Sequence, residues 1–398
     1  MHDVEPFGVI VAIAAAALVV AVVSNRFVVG VPTPAVFLVA SAIVADLVPR
    51  WGRLSVVADQ RIVTVALAVI LFDGGMHLGL RRVRRSMAAI AWVGTAGTIV
   101  TAGAMALLGH ALFGLAWRPA LTLGTALAPT DPAVVFSVLG RREIDGRSGT
   151  LLEGESGAND PVGIALMIAV LGAGSGSAGA IAGAVGQFAL QMAVGIAFGV
   201  LGGRVLIPLL RRVQLPSQSL YPVQTIAVAL LIYGVAAACH GSGFLAVFLA
   251  GILVGDEALP AHQAVRGFSA ALAALGEIVA FVVLGLSVSV SRLFSDGRVW
   301  TGLVLAVLLI VVVRPLLVGL VLWPVRLPRP ERLFVLWSGL KGAVPILLGT
   351  YVVAAQIADA RRVYDLIIVV VTVSVVVQGG LVPVVARILR VPMRRIER

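Results

Sequence analysis

The sequence has little charge for its length and few of the residues on which soluble and secreted proteins depend. Charged residues make up 12% of its 398 residues and hydrophobic residues 60%, a composition that excludes an ordinary soluble enzyme. One cysteine, Cys239, leaves no partner for an internal disulfide. Residues 1–6 contain no lysine or arginine, so the chain does not begin like a signal peptide and the first apolar run is expected to stay as a span.

Apolar sequence is what the chain has in abundance. Its mean hydropathy is +1.07, and runs of about 20 apolar residues recur between short polar segments, as in an all-α polytopic membrane protein. We predict about thirteen transmembrane helices. Their expected limits are 7–23, 32–48, 60–79, 87–114, 119–139, 151–172, 180–208, 221–238, 241–255, 267–290, 299–323, 333–354 and 364–386. An odd number of spans places the two termini on opposite faces.

The basic residues predict the orientation. The net charge is +11, and twenty basic residues fall on one side of the predicted spans against eight on the other. The richer side is expected to be cytoplasmic, with the C-terminus inside and the N-terminus outside. The remaining two, Arg314 and the only lysine, Lys341, lie within predicted spans.

The chain is expected to form a single membrane domain, residues 1–398, with no soluble domain after the last span. A Gly/Ser-rich stretch at 172–180 predicts a flexible linker between spans six and seven. If it separates two six-span units with span seven between them, the second unit begins on the opposite face from the first. That arrangement is typical of the inverted repeats of secondary transporters.

Six acidic residues and two basic residues are predicted to lie inside the membrane. A charged residue at the centre of a span costs about 2.5 to 3.5 kcal/mol. Protein cations cannot neutralise all six acids, so we expect a proton or a bound cation to do so. The six acids are Asp73, Asp131, Glu153, Glu155, Asp160 and Glu277.

Span six opens with the densest group of these acids, in LLEGESGANDP. On a helix, Ser156 and Asp160 share one stripe, while Glu155 and Asn159 share another. We therefore expect Asp160 and Glu155 to face different neighbours. For Glu155 we favour a structural ion pair with Arg314, and for Asp160 a functional role; an ion pair that merely holds helices together is the alternative for both.

Two spans contain residues that interrupt a helix. In span five, Pro129 and Pro132 flank Asp131, and their missing amide donors free carbonyl oxygens that suit a dehydrated alkali cation. An ordinary proline kink is the alternative. Span twelve has glycines on either side of Lys341 and then Pro345, so Lys341 either offsets the negative end of a half-helix or extends to the membrane interface.

The other polar residues carry weaker signals. Asp73 lies near the predicted cytoplasmic end of span three, where a structural role is as reasonable as membership of the ion site. Glu153 is expected to mark only the entrance, and Glu277 has no evident motif. Four histidines fall near span ends and have no metal-ligand spacing: His77, His110, His240 and His262.

Several motifs together resemble the monovalent cation:proton antiporters of the NhaP type. They are LFDGG at Leu71, APTDPAVVFSVL at Ala128, LLEGESGANDP at Leu151, GFLAVFLAGILVG at Gly243, RPL at Arg314 and GLKGAVPI at Gly339. The form GESGANDP is most similar to the potassium/proton branch. That branch usually carries a cytoplasmic C-terminal regulatory domain, which we do not expect here.

The resemblance implies a homodimer with inverted repeats, in which discontinuous helices five and twelve cross. It implies an ion-translocating core at 87–172 and 299–386, a dimer and scaffold part at 7–79 and 221–290, and a linking helix at 180–208.

The resemblance also implies residue roles. Asp160 would accept either a proton or a cation, with Asp131, Ser156 and Thr130 completing the shell. Asn159 would tie span six to span five, Glu155 would pair with Arg314, and Asp73 is a further candidate ligand. Lys341 stands where the family usually has arginine.

The expected function is electroneutral exchange of protons for Na⁺ or K⁺ across the cell membrane, by competition at Asp160 and without a cofactor. A cation channel is one alternative, although it needs a continuous pore. An intramembrane protease is a remote one, because Ala158 replaces the second glycine of a G-x-S-x-G motif. Ligand types do not distinguish Na⁺ from K⁺.

Overall fold

The computed structural model describes residues 19, 32–47, 55–139, 142–144, 146–173, 178–295 and 297–395. Apart from Val19, the first predicted span, 7–23, lies outside these residues, so the count of thirteen spans stays a prediction. Nearly all of the described chain is helical, as the sequence predicts.

The helices up to the Gly/Ser stretch match the predicted spans closely. They are α1 (Thr33–Leu47), α2 (Val56–Arg84), α3 (Met87–Phe113), α4 (Trp117–Ala126), α5 (Ala133–Leu139) and α6 (Gly146–Gly172). Predicted span five is thus a pair of short helices, α4 and α5, separated by six residues without helical structure. Pro129 and Pro132 cannot donate backbone hydrogen bonds, which explains why the helix stops.

The later helices repeat this pattern. They are α7 (Ala178–Arg212), α8 (Leu220–Ala238), α9 (Gly243–Gly255), α10 (His262–Leu286), α11 (Val290–Ser295), α12 (Arg298–Val321), α13 (Arg329–Trp337), α14 (Ala343–Ala354) and α15 (Ala360–Ile388). Predicted span twelve is again a broken pair, α13 and α14. Among the described residues, seven helices are long and apolar enough to cross a membrane: α2, α3, α7, α8, α10, α12 and α15.

Glycines bring helix backbones into contact at the centre of one helix group. A Cβ atom added to Gly75 of α2 would lie 2.3 Å from the carbonyl oxygen of Phe248 on α9, and one added to Gly251 would lie 2.3 Å from that of Phe72. Small residues permit such close packing in membranes. Helices α7, α8 and α10 pack against this pair and α1 packs against α10. Helix α15 packs with α12 and α14, and α3 packs with α4.

A two-stranded sheet is an addition to the predicted all-helical fold. Strand β1 (Arg142–Ile144) pairs antiparallel with β2 (Met393–Arg395). Each strand has three residues and its partner is about 250 residues away, so no local pattern predicts the pairing. The sheet connects the segment before α6 to the segment after α15.

Three segments of the long helices have π-helical hydrogen bonding. They are Val93–Gly97 in α3, Leu308–Val318 in α12 and Ser374–Gly379 in α15. Such bulges rotate the side chains that follow and often occur near functional sites. Two of them carry side chains that contact the broken helices: Arg314 in α12, and Ser374 with Gln378 in α15.

Candidate functional site

The two interrupted helices meet at their interruptions. We call residues 127–132 the first break and residues 338–342 the second break. The backbone amide of Asp131 donates to the carbonyl oxygen of Leu340 at 2.8 Å. A Cβ added to Gly342 would lie 1.9 Å from Asp131 Oδ2, so only glycine permits this approach. The breaks therefore cross in direct contact.

Lys341 of the second break satisfies the carbonyl groups of the first. Its Nζ donates to the carbonyl oxygens of Ala128 and Pro129, each at 2.9 Å. These carbonyls follow the C-terminal end of α4, where the helix dipole is negative. Lys341 is 1% exposed, so the alternative in which it extends to the membrane interface is wrong.

Arg314 does the same for the second break. Its Nε donates to the Leu336 carbonyl at 3.0 Å and its Nη2 to that of Val335 at 3.5 Å, near the C-terminal end of α13. The same Nη2 lies 3.2 Å from Glu155 Oε1, and both side chains are buried. The structure thus places Glu155 against the partner expected from the sequence, within a group that also stabilises a helix end.

Helix α6 contacts the first break through two side chains. The Asn159 Nδ2 donates to Thr130 Oγ1 at 2.7 Å, and Asn159 Oδ1 accepts from the Thr130 amide at 3.2 Å. Ser156 Oγ lies 3.0 Å from the same Thr130 Oγ1. The two predicted stripes of α6 therefore converge on one residue, although Asp160 and Glu155 do face different neighbours.

Asp160 lies beside this crossing without a complete set of partners. It is 8% exposed, and its Oδ1 has no hydrogen-bond partner among the described residues. It is close enough to Asp131 and Lys341 for electrostatic interaction with both. A carboxylate in a buried environment needs a neutralising partner, and a proton or a cation can supply it.

Carboxylates outnumber cations around the crossing. The Glu155–Arg314 pair is neutral by itself, and the ammonium group of Lys341 then faces Asp131 and Asp160, with Glu277 within electrostatic range of Asp131. At least one negative charge is therefore in excess. A proton or a monovalent cation at Asp160 would remove one of these charges, and the nearby carboxylate and hydroxyl oxygens are suitable ligands for such a cation.

Asp73 lies apart from these contacts. Its Oδ2 is 3.2 Å from His77 Nδ1, one turn further along α2. The same ring nitrogen lies 3.0 Å from the Asp73 carbonyl oxygen. The described contacts of Asp73 are thus with His77, which the sequence predicts to lie at the membrane interface.

The second break has two supporting residues that the sequence analysis missed. The amide of Lys341 donates to Ser374 Oγ at 2.9 Å, and this hydroxyl donates to Gln378 Oε1 at 2.8 Å. The Gln378 amide then donates to the Trp337 carbonyl at 2.5 Å. The available signal in the sequence was that these two polar residues lie four positions apart in the valine-rich run of α15.

Glu277 is a partly buried acid to which the sequence assigns no role. Its Oε1 has no hydrogen-bond partner among the described residues, and it lies within electrostatic range of Asp131. The sequence around it contains no motif. Among the described residues, no group of three or more His, Cys, Asp or Glu side chains is placed to hold a metal ion.

Comparison with known proteins agrees with this architecture. The sequence is 35% identical over 329 residues to the K⁺/H⁺ antiporter NhaP of Alkalimonas amylolytica, covering 82% of this chain and 57% of the relative. It is 31% identical to the K⁺/H⁺ antiporter NhaP2 of Shewanella sp. (strain MR-4), covering 96% of this chain and 66% of the relative. The chain thus spans less than two thirds of the length of these relatives.

The fold matches that of a solved antiporter. The sodium proton antiporter MjNhaP1 from Methanocaldococcus jannaschii, determined at pH 8, aligns with a TM-score of 0.79 over 95% of this chain and 100% of that one, at 20% identity. This likeness shows a shared fold. The family described as "Sodium/hydrogen exchanger, transmembrane" matches residues 9–388. This multi-pass membrane protein therefore belongs to the sodium/hydrogen exchanger family.

Proposed function

We propose that this protein exchanges protons for a monovalent cation, and that the two compete for Asp160. The observation that supports this most is the buried Oδ1 of Asp160, which lacks a partner among the described residues and lies beside a crossing where carboxylates outnumber cations. The family to which the chain belongs is a family of transporters.

Coupling follows from the cost of moving an unbalanced charge. With either a proton or a cation bound at Asp160, the crossing carries one negative charge fewer. With neither, that additional negative charge would have to pass through a low-dielectric environment, which is unfavourable. Only the two loaded states then change between inward- and outward-facing forms, and one proton is exchanged for one cation. The exchange is electroneutral.

The proposed cation shell consists of oxygen atoms on two elements. Asp131 and the Thr130 carbonyl come from the first break, and Asp160 and Ser156 from α6. Asn159 fixes the position of Thr130 through the two hydrogen bonds between them. Na⁺ and K⁺ are the candidate cations; the similar bacterial proteins are named K⁺/H⁺ antiporters and the solved archaeal protein a sodium proton antiporter. Asp73, which lies on α2, is proposed as a more distant contributor to the site.

A channel is less well supported than an antiporter. A channel needs a continuous pore, whereas the two breaks are hydrogen-bonded to each other through Asp131 and Leu340. Saturable counter-transport with a fixed ratio distinguishes the two, because a channel passes the cation without a coupled proton.

The proposed setting is a homodimer in the cell membrane, with the arginine-rich face in the cytoplasm. The most apolar part of α7 is only 28% buried within one chain, and side chains such as Val185 and Leu201 are exposed on it. Such a surface requires lipid or a second copy of the chain. Chemical cross-linking in native membranes tests for the dimer.

The role of Asp160 is tested in proteoliposomes that contain the purified protein and a pH-sensitive dye. Addition of Na⁺, K⁺ or Li⁺ should drive proton movement in the wild type for at least one cation. Asp160→Asn should abolish this signal, because the amide cannot alternate between a charged and a protonated form. Glu257→Gln, at a surface ion pair with Arg211, is the control and should retain exchange. Wild-type exchange by Asp160→Asn would show that the assignment is wrong.

A further inference from the structure

A cavity opens on the arginine-rich face, between the end of α2 and the beginning of α6. Its volume is about 540 Å³, within the range of about 300 to 1,000 Å³ common for small-molecule sites. The walls combine charged and hydroxyl side chains with the first turn of α6. Its charged lining residues are Arg81, Arg82, Arg85, Arg147 and Glu153.

The charge of this cavity is strongly positive. Among the described residues that line it, four have guanidinium groups and one, Glu153, has a carboxylate. Arg81 and Arg82 lie in the last turn of α2 and Arg85 directly follows the helix. Arg147 comes from the opposite wall, where its Nη1 lies 3.4 Å from the Arg326 carbonyl oxygen. Guanidinium groups converging from two elements suit an anion with several oxygen atoms, because each can form paired hydrogen bonds.

Uncharged donors complete the lining. The hydroxyl group of Ser86 lines the cavity although the residue is only 5% exposed, and it makes no capping hydrogen bond to α3, which begins next to it. Thr150 contributes a second hydroxyl group. The first turn of the 27-residue helix α6 forms part of the wall, and the amide groups of a first helical turn favour an anion.

We propose that this cavity binds a phosphate-bearing anion. Phosphate matches the chemistry of the lining, and the volume leaves room for a group attached to the phosphate. A lipid headgroup and a soluble phosphate compound share this chemistry. The lining arginines are exposed, as is Arg84, which belongs to the same run but does not line the cavity. What sets the lining arginines apart is that they face one cavity together.

The position of the cavity suggests what binding does. Helix α6 carries Glu155 and Asp160, whereas α2 packs with α9 in the other helix group. An anion that contacts both α2 and α6 stabilises the conformation in which they are this close, and so lowers the maximal rate of exchange. This effect rests on the proposed antiport, but binding itself does not.

Binding is measured by calorimetry on the purified full chain, with pyrophosphate as the soluble probe. We expect saturable binding that weakens about tenfold in Arg147→Gln and in Arg85→Gln, since each removes a charge-assisted hydrogen-bonding group. Arg84→Gln, the matched control, should bind within about twofold of the wild type. Equal weakening by Arg84→Gln would show that only overall charge matters and would overturn the proposal.

A second arm identifies the source of the phosphate. Thermal unfolding is compared in phosphatidylcholine vesicles with and without phosphatidylglycerol. If phosphatidylglycerol raises the unfolding temperature of the wild type but not that of Arg147→Gln, the ligand is a lipid headgroup. If only pyrophosphate has this effect, the ligand is a soluble phosphate compound. If neither probe binds, the proposal fails. Binding without any exchange activity in the wild type would instead overturn the proposed function and leave the anion site intact.

Discussion

The two breaks have the same architecture and opposite charge. The first contains Asp131 and is interrupted by prolines, whereas the second contains Lys341 and is interrupted by glycines. Each leaves carbonyl groups at the end of a half-helix, and each of these ends receives a buried cation: Lys341 at the end of α4 and Arg314 at the end of α13.

The difference lies in where each cation comes from. Lys341 belongs to the opposite break, so it holds the two breaks together and also lies within range of Asp160. Arg314 comes from α12, outside the crossing, and pairs with Glu155. We infer that Lys341 sets both the position and the charge of the ion site, whereas Arg314 only stabilises its surroundings.

The largest effect is expected from Lys341→Met. The change leaves the Ala128 and Pro129 carbonyls without their donor, at a cost of about 1 to 3 kcal/mol each, and increases the excess negative charge at the crossing by one. Exchange in proteoliposomes should be lost. Lys341→Arg keeps the charge and should retain measurable exchange. Full activity of Lys341→Met would contradict a role in the ion site.

Arg314→Met tests the other half of the comparison. Removing one partner of a buried ion pair costs about 3 to 5 kcal/mol, so the thermal unfolding temperature should fall clearly. In the protein that still folds, the cation KM should stay within about twofold of the wild type, because Asp160 keeps its neighbours. A large change in KM would place Arg314 in the ion site as well.

Gly342→Ala tests the contact between the breaks. The added methyl group would lie 1.9 Å from Asp131 Oδ2. Overpacking costs about 1 to 3 kcal/mol. Where this cost falls on the cation-bound state, cation binding is about 5-fold to 150-fold weaker. Gly103→Ala, where a Cβ meets nothing within 4 Å, is the control and should behave like the wild type. Equal activity of both variants would mean that the breaks separate during transport.

The smallest effect is expected from Gln378→Leu. Losing the hydrogen bond to the Trp337 carbonyl should lower the free energy of unfolding by about 1 kcal/mol, a usual magnitude for buried hydrogen bonds in membrane proteins. The cation KM should not change. Chemical denaturation in detergent measures the first quantity and proteoliposome exchange the second. A changed cation KM with an unchanged free energy of unfolding would show that Gln378 belongs to the cation site and does not only support it.

The sequence predicts local features of this fold well. Apolar runs locate the described helices because each span must be apolar along its own length, and Pro129 and Pro132 locate the first break because proline acts on its own helix. The position of the second break follows in the same way from its glycines and Pro345.

Apart from the Glu155–Arg314 pair, contacts between distant segments were not predictable from the residues alone. The contacts of Lys341 with Ala128, of Gln378 with Trp337 and of strand β1 with β2 depend on how helices cross. The burial of Glu277 follows from the packing of α10 and has no local sign. Neither the ligand roles of Asp131, Asp160, Ser156 and Thr130 nor the inverted repeats have been tested, and they stay predictions.

Competition between the proton and the cation is the central claim, and one measurement tests it directly. The cation KM and maximal rate of the wild type are determined in proteoliposomes across a pH series. If both ligands use Asp160, the KM rises as the pH falls, approaching about tenfold per pH unit where the proton dominates, while the maximal rate stays constant. A KM that does not change with pH while the maximal rate falls would show two separate sites and contradict the account.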